Sequence, residues 1–185
     1  MRKKLAFLLV IGLMFTSCGS DRMYVPGEIE VIAFASSSNA PNVETSDSLA
    51  EPVLNHIFLT INEIRIHKDG NAWETIAQPH EVFDFLQLTD TMTFLLADTL
   101  VPPGHYTQLR LIVADTNEVV IDGVSYPLTV PSGTQTGVKL NLDIKIDGGE
   151  TAKVYLEFDE NTAIVESANG YHLRPSFRLN IELEP

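Results

Sequence analysis

The chain holds a single cysteine, Cys18, in 185 residues. One thiol excludes internal disulfides and any zinc site built on a cysteine cluster. Basic residues are scarce as well: 12 Lys and Arg stand against 25 Asp and Glu, a formal net charge of −13. Nucleic-acid binding depends on neutralising phosphates with Lys and Arg, so a balance of this sign argues against it. It argues equally against adsorption of the folded surface to anionic lipid. Common catalytic signatures are missing too. There is no G-x-S-x-G elbow, no H-E-x-x-H pair and no D-x-D-x-D-G calcium loop. There is one Trp, and no long segment with a 3.6-residue apolar period. What remains is ordinary globular material: 44% hydrophobic, at a length that suits one domain with or without a tail.

Arg2, Lys3 and Lys4 precede the apolar run Leu5 to Phe15, eleven residues long. At ~1.5 Å per residue such a helix covers about 16 Å, short of the ~30 Å hydrocarbon core, and this is the layout of a secretory signal. Thr16-Ser17-Cys18-Gly19 then resembles the lipobox of bacterial lipoproteins, in which small residues precede a Cys that is acylated and becomes the mature N-terminus. Phe15 stands where Leu is usual. A lone exported thiol would be a liability, and acylation removes it. One acyl chain anchors only marginally, whereas the two or three that the resemblance implies would make the anchor lasting. Gly19 in place of Asp lacks the inner-membrane retention signal, so a lipid-anchored envelope protein, at the outer membrane, is expected. The expected division is a signal peptide over 1–17, a tether over 18–27 and a β-sandwich over 28–185. Without the leader, nine basic residues face 25 acidic ones.

The dominant period of the remainder is two. In Val138 to Ile146 the apolar residues Val138, Leu140, Leu142, Ile144 and Ile146 alternate with Lys139, Asn141, Asp143 and Lys145. Ala152 to Phe158 and Phe177 to Leu183 alternate in the same way, separated from what precedes by turn chemistry at Asp147-Gly148-Gly149-Glu150. Further strands are predicted at Glu28 to Ala35, at Ile57 to Ile66 with a bulge at Asn62-Glu63, at Ala72 to Ile76 and at Tyr106 to Val113. Val82 to Leu88 reads as a strand, or over Val82 to Leu86 as one helical turn. Val119 to Ile121 and Val124 to Tyr126 flank Asp122-Gly123, a hairpin signal, and Pro127 places its strand at a sheet edge. Nine or ten short strands predict an all-β fold, an antiparallel β-sandwich, Ig-like or transthyretin-like. Ser36 to Pro52 reads as a long surface loop or disorder.

Several residues invite a functional reading. Gly133 to Lys139 has the wrong spacing for a phosphate loop and predicts a tight turn with Lys139 facing outward. Asp159, Glu160 and Asn161, with Asp115, Asn117 and Glu118, offer oxygen ligands for Ca²⁺, but a solvated turn is the simpler reading. His56, His67, His80, His105 and His172 have no metal-ligand spacing, and His105, at a turn beside Tyr106, reads as a satisfied structural residue in preference to a surface or ligand-contact one. Trp73 reads as a core anchor in preference to a sugar-stacking platform. Of Tyr24, Tyr126, Tyr155 and Tyr171, Tyr155 falls on the outward face of its strand and is the better exposed aromatic.

Trp73, FDFLQL (Phe83 to Leu88), LVPPGHYTQLRLIV (Leu100 to Val113), VPSGTQTGVKLNL (Val130 to Leu142), LEFDENTAIV (Leu156 to Val165) and YHLRPSFRL (Tyr171 to Leu179) together resemble a bacterial family of exported proteins known as domain of unknown function 4382. The resemblance runs from about Gly27 to Leu183, and VPSGTQTG is its most specific part. Family members share a D-A-P motif after the first strand, where this chain has Asn39-Ala40-Pro41. The resemblance implies a β-rich envelope domain with no established activity. The expectation is therefore a non-enzymatic lipoprotein with no cofactor and no metal, held to the bilayer at acylated Cys18. Its sandwich would bind or assemble with an envelope protein or a surface glycan, through residues the sequence does not name. The alternative is a hydrolase or metal-dependent enzyme acting on envelope material.

Overall fold

The computed structural model describes residues 24–35, 53–88, 92–131, 135–168, 170–174 and 177–185. Cys18, the leader, the Asn39-Ala40-Pro41 motif and the whole of Ser36 to Pro52 lie outside the described residues. The elements in order are β1 (Gly27–Ala35), β2 (Leu54–Lys68), β3 (Trp73–Ala77), β4 (Glu81–Asp84), β5 (Phe94–Val101), β6 (Gly104–Val113) and β7 (Glu118–Ile121). They continue with β8 (Val124–Thr129), β9 (Val138–Ile146), β10 (Thr151–Phe158), a single helical turn α1 (Glu160–Ala163), β11 (Ile164–Ser167), β12 (Gly170–Leu173) and β13 (Phe177–Glu184). Among the described residues no helix is long and apolar enough to cross a membrane.

The fold is an all-β sandwich of two sheets. One has four strands in the order β13-β10-β1-β5, and the other nine, running β11-β12-β8-β7-β2-β6-β9 with β3 and β4 also on β2. Most pairings are antiparallel, but β1 pairs β10 and β12 pairs β8 in parallel, so both sheets are mixed. The Asp147 to Glu150 turn, with Gly149 at φ 86°, does not close a hairpin; it carries the chain from β9 in one sheet to β10 in the other. The inner faces share one core that includes Ile29, Val31, Ile57, Leu59, Leu109, Leu140, Leu142, Val154 and Leu156. At one end this core is aromatic. Phe83 and Phe85 meet Phe94 and Phe158 at ring-centroid distances of 5.1 Å, and Phe177 closes the group 5.3 Å from Phe158.

Alternation is complete in β9, where all five apolar residues are buried and all four polar ones exposed. In β13 it fades: Phe177, Leu179 and Ile181 are half-buried and Leu183 is 50% exposed. This strand lies at the edge of its sheet, where one flank has no neighbour to cover it.

The long strand β2 organises the larger sheet. Phe58 pairs both Asp84 and Glu118, and Ile64 pairs both Ala77 and Leu111. One edge of β2 therefore carries β3 then β4, and the other carries β6 then β7. The register slips between Ile61 and Glu63, so the expected bulge at Asn62-Glu63 is present and keeps Ile61 and Ile64 both in the core.

The β6–β7 junction is fixed by Asn117, which is 4% exposed. Its Oδ1 accepts from the Thr60 N–H at 2.9 Å and its Nδ2 donates to the Ala114 carbonyl at 2.6 Å. Ile121 pairs Val124 across Asp122 (φ 52°) and Gly123 (φ 76°), the two positive angles of a type I′ hairpin. Pro127 does not mark a sheet edge, since β12 lies beyond β8. However, β12 pairs only with Leu128 and Thr129, so the missing proline donor falls on a stretch that has no partner there. The strand expected over Val82 to Leu88 ends at Asp84: the FDFLQL segment supplies the last two residues of β4 and then a turn closed by Gln87 N–H to the Asp84 carbonyl.

Candidate functional site

A strand buried on one face should present polar side chains on the other. The outer face of the four-stranded sheet departs from this. Ile32 on β1 pairs Leu95 on β5 and Tyr155 on β10, and Tyr155 pairs Asn180 on β13. Paired residues share a face, so Leu95, Ile32, Tyr155 and Asn180 form one row across the sheet. Phe34, the next outward residue of β1, meets the Tyr155 ring edge-on at 6.3 Å. Leu95 is 58% exposed, while Ile32, Phe34 and Tyr155 are half-buried by one another. Phe34, Thr93, Tyr155, Asn180 and Glu182 line an open hollow of about 260 Å³.

The rim of this strip is acidic. Glu28, Glu30, Asp98, Glu157, Glu182 and Glu184 occupy outward register positions, against Lys153 and Arg178. Lys153 is tied to Glu184 at 2.8 Å. The Tyr155 hydroxyl donates to Glu182 at 3.4 Å, and desolvation followed by the charge of Glu182 pushes the phenol above its ordinary value. The strip thus offers apolar and aromatic contact bounded by negative charge.

Sequence reasoning finds Tyr155 by its outward parity, but Tyr155 is not the better exposed aromatic: packing against Phe34 leaves it half-buried, while Tyr24 is 65% and Tyr126 37% exposed. Phe34 was legible by the same parity, since it follows Glu28, Glu30 and Ile32 in step. Leu95 was not, because a register shift opposite Val31 and Ile32 buries both Leu96 and Ala97 and so breaks the alternation of β5.

The other sequence candidates are dispersed. Asn117 spends both polar ends on backbone, so it is a structural pin and not a calcium ligand. Among the described residues no group of three or more His, Cys, Asp or Glu is placed to hold a metal ion. His105 is satisfied, with Nε2 2.7 Å from Asp143, and lies at the surface, 44% exposed. Trp73 is not in the core. It lies half-buried on the outer face of the nine-stranded sheet, with the Arg110 guanidinium 3.7 Å from its ring centroid and His67 5.2 Å away. Gly137 takes φ 70° just before β9, and Lys139 points outward, both as expected.

Two histidine pairs escaped the sequence. His56 Nδ1 lies 2.7 Å from Asp84, whose other oxygen accepts from the Ile57 and Leu86 N–H groups. His67 Nδ1 lies 2.8 Å from the Thr107 hydroxyl. The carboxylate pair and the hydroxyl pair stand eleven residues apart on β2, roughly 36 Å at the ~3.3 Å rise of a strand, so they do not combine into a triad.

Residues 42–175 match the family model described as Domain of unknown function (DUF4382). The chain belongs to the DUF4382 family. No curated protein and no solved structure matches it. The DUF4382 match takes in β2 to β12. The strip on the small sheet therefore combines Tyr155 and Leu95 from inside the matched region with Phe34 and Asn180 from outside it.

Proposed function

We propose that this DUF4382 protein is a non-enzymatic, lipid-anchored envelope module that docks a partner protein on the outer face of its four-stranded sheet. The observation that carries the reading is the Leu95–Ile32–Phe34–Tyr155 strip, placed where a one-sided strand calls for polar residues. Its acidic rim favours a partner that presents apolar side chains among Lys and Arg, since complementary charge steers encounter and fixes register. The basic leader, the short apolar run and Cys18 support export and acylation. A photo-crosslinker at Leu95, in native membranes, should capture one protein in stoichiometric yield. Capture of glycan alone would transfer the role to adhesion, and no capture would count against docking on this face. One observation favours an enzyme acting on envelope material: the His56–Asp84 pair, with the carboxylate oriented by backbone donors. Hydrolysis of envelope glycan or peptide that is abolished in His56→Ala would decide for it.

A further inference from the structure

The outer face of the nine-stranded sheet carries a second, oppositely charged feature. Arg65 on β2 pairs Arg110 on β6, and Arg110 pairs Lys139 on β9. Their strand neighbours Ile64, Ile66, Leu109, Leu111, Val138 and Leu140 are buried, so all three cations face outward in one row. At ~4.8 Å between strands the row spans about 10 Å. It uses three of the nine Lys and Arg that follow the leader, in a chain of net charge −13. Like charges placed directly opposite one another destabilise a sheet, so the arrangement is costly without a counter-charge. Glu63 pairs with Arg65; among the described residues no carboxylate lies within ion-pair reach of Arg110 or Lys139.

A separate observation points the same way. Arg110 Nε is buried and has no hydrogen-bond partner. Its guanidinium carbon lies 3.7 Å from the Trp73 ring centroid, and with Nε covered the Nη groups are the donors left to meet an oxyanion. His67, Thr107 and Asn141 on the adjoining positions add further hydrogen-bonding groups.

We infer that the Arg65–Arg110–Lys139 row is an oxyanion site that takes a single carboxylate or phosphate group of a small solute or terminal sugar. The negative charge of the remaining surface repels polyanions and anionic bilayers, so the ligand is compact. The site is independent of the docking strip, which lies on the other sheet, and either can fail without the other.

Trp73 is the only Trp, so its emission reports on this row directly. Inorganic phosphate and glucuronate are titrated separately at constant ionic strength, with chloride as the balancing salt. A saturable change with at least one of them is expected. Lys139→Gln, at an exposed position, should weaken it about tenfold or more, and Lys145→Gln, outward on the same strand, should not. A response to phosphate alone or to glucuronate alone identifies which group is held. No saturable change with either anion, an equal affinity in Lys139→Gln, or a response only to phosphatidylglycerol vesicles would overturn the assignment.

Discussion

Tyr106 shows what one side chain can commit the molecule to. It is fully buried, and its hydroxyl donates to the Pro102 carbonyl four residues upstream at 2.5 Å, an arrangement similar to the tyrosine corner of β-sandwiches. Burial, with smaller contributions from Glu74 and Tyr24, pushes the phenol up to about 12. An unfolded Tyr ionises near 10, so between these values the unfolded chain has released a proton that the folded chain keeps. The stabilisation is therefore complete below pH 10 and is lost as pH rises towards 12. Tyr106→Phe should cost about 1 kcal/mol at neutral pH and flatten the alkaline decline. Urea titrations from pH 7 to 11.5 measure both, and a decline as steep as in the parent would refute the role. Leu142 is 4% exposed, and Leu142→Asp should cost several kcal/mol. An unchanged melting temperature would overturn its facing. Gly137 sits at φ 70° with an ideal Cβ 2.7 Å from the Leu111 carbonyl oxygen, so Gly137→Ala should destabilise by roughly 1–3 kcal/mol in the same assay.

Among the elements, β2 depends on a residue outside it. Asn117→Ala removes the acceptor for the Thr60 N–H inside the sheet and should cost about 1–3 kcal/mol. Hydrogen exchange should accelerate at Thr60 before it does in β9, and uniform acceleration would argue against a local pin. The strands that could be read in advance are those with one face wet and one dry, because a two-residue period records only that difference. β9, β10 and the Asn62-Glu63 bulge were legible on those terms. β5 was hidden because its register shift buries two neighbours together, and β11 and β12 because each is four residues long and does not alternate between buried and exposed. Periodicity does not name the partner of a strand, so the parallel pairings had no trace in the sequence. The same limit applies to the docking strip: outward parity identifies Tyr155 and reaches Phe34, but only the register brings Leu95 beside Ile32.

For the whole molecule, the two outer faces differ in chemistry. The small sheet presents rings edged with carboxylates, and the large sheet presents a line of cations. If both proposals hold, a module built in this way engages two dissimilar ligands at once from opposite sides. If Cys18 anchors it as proposed, Cys18→Ser should move the folded domain from the membrane fraction to the soluble one. Retention on membranes through a high-salt wash would remove the anchor from the proposal.

In the small sheet β1 lies between β5 and β10, and on the β10 side Glu28 waits for Thr151. β13 then completes the sheet from the far end of the sequence. Contacts of such long range form slowly, since loop closure precedes any gain from pairing. During synthesis the opening strand has lost sight of its parallel mate for more than a hundred residues. The surface that carries Phe34 and Tyr155 therefore closes only after β10 has been made, late in the order of synthesis.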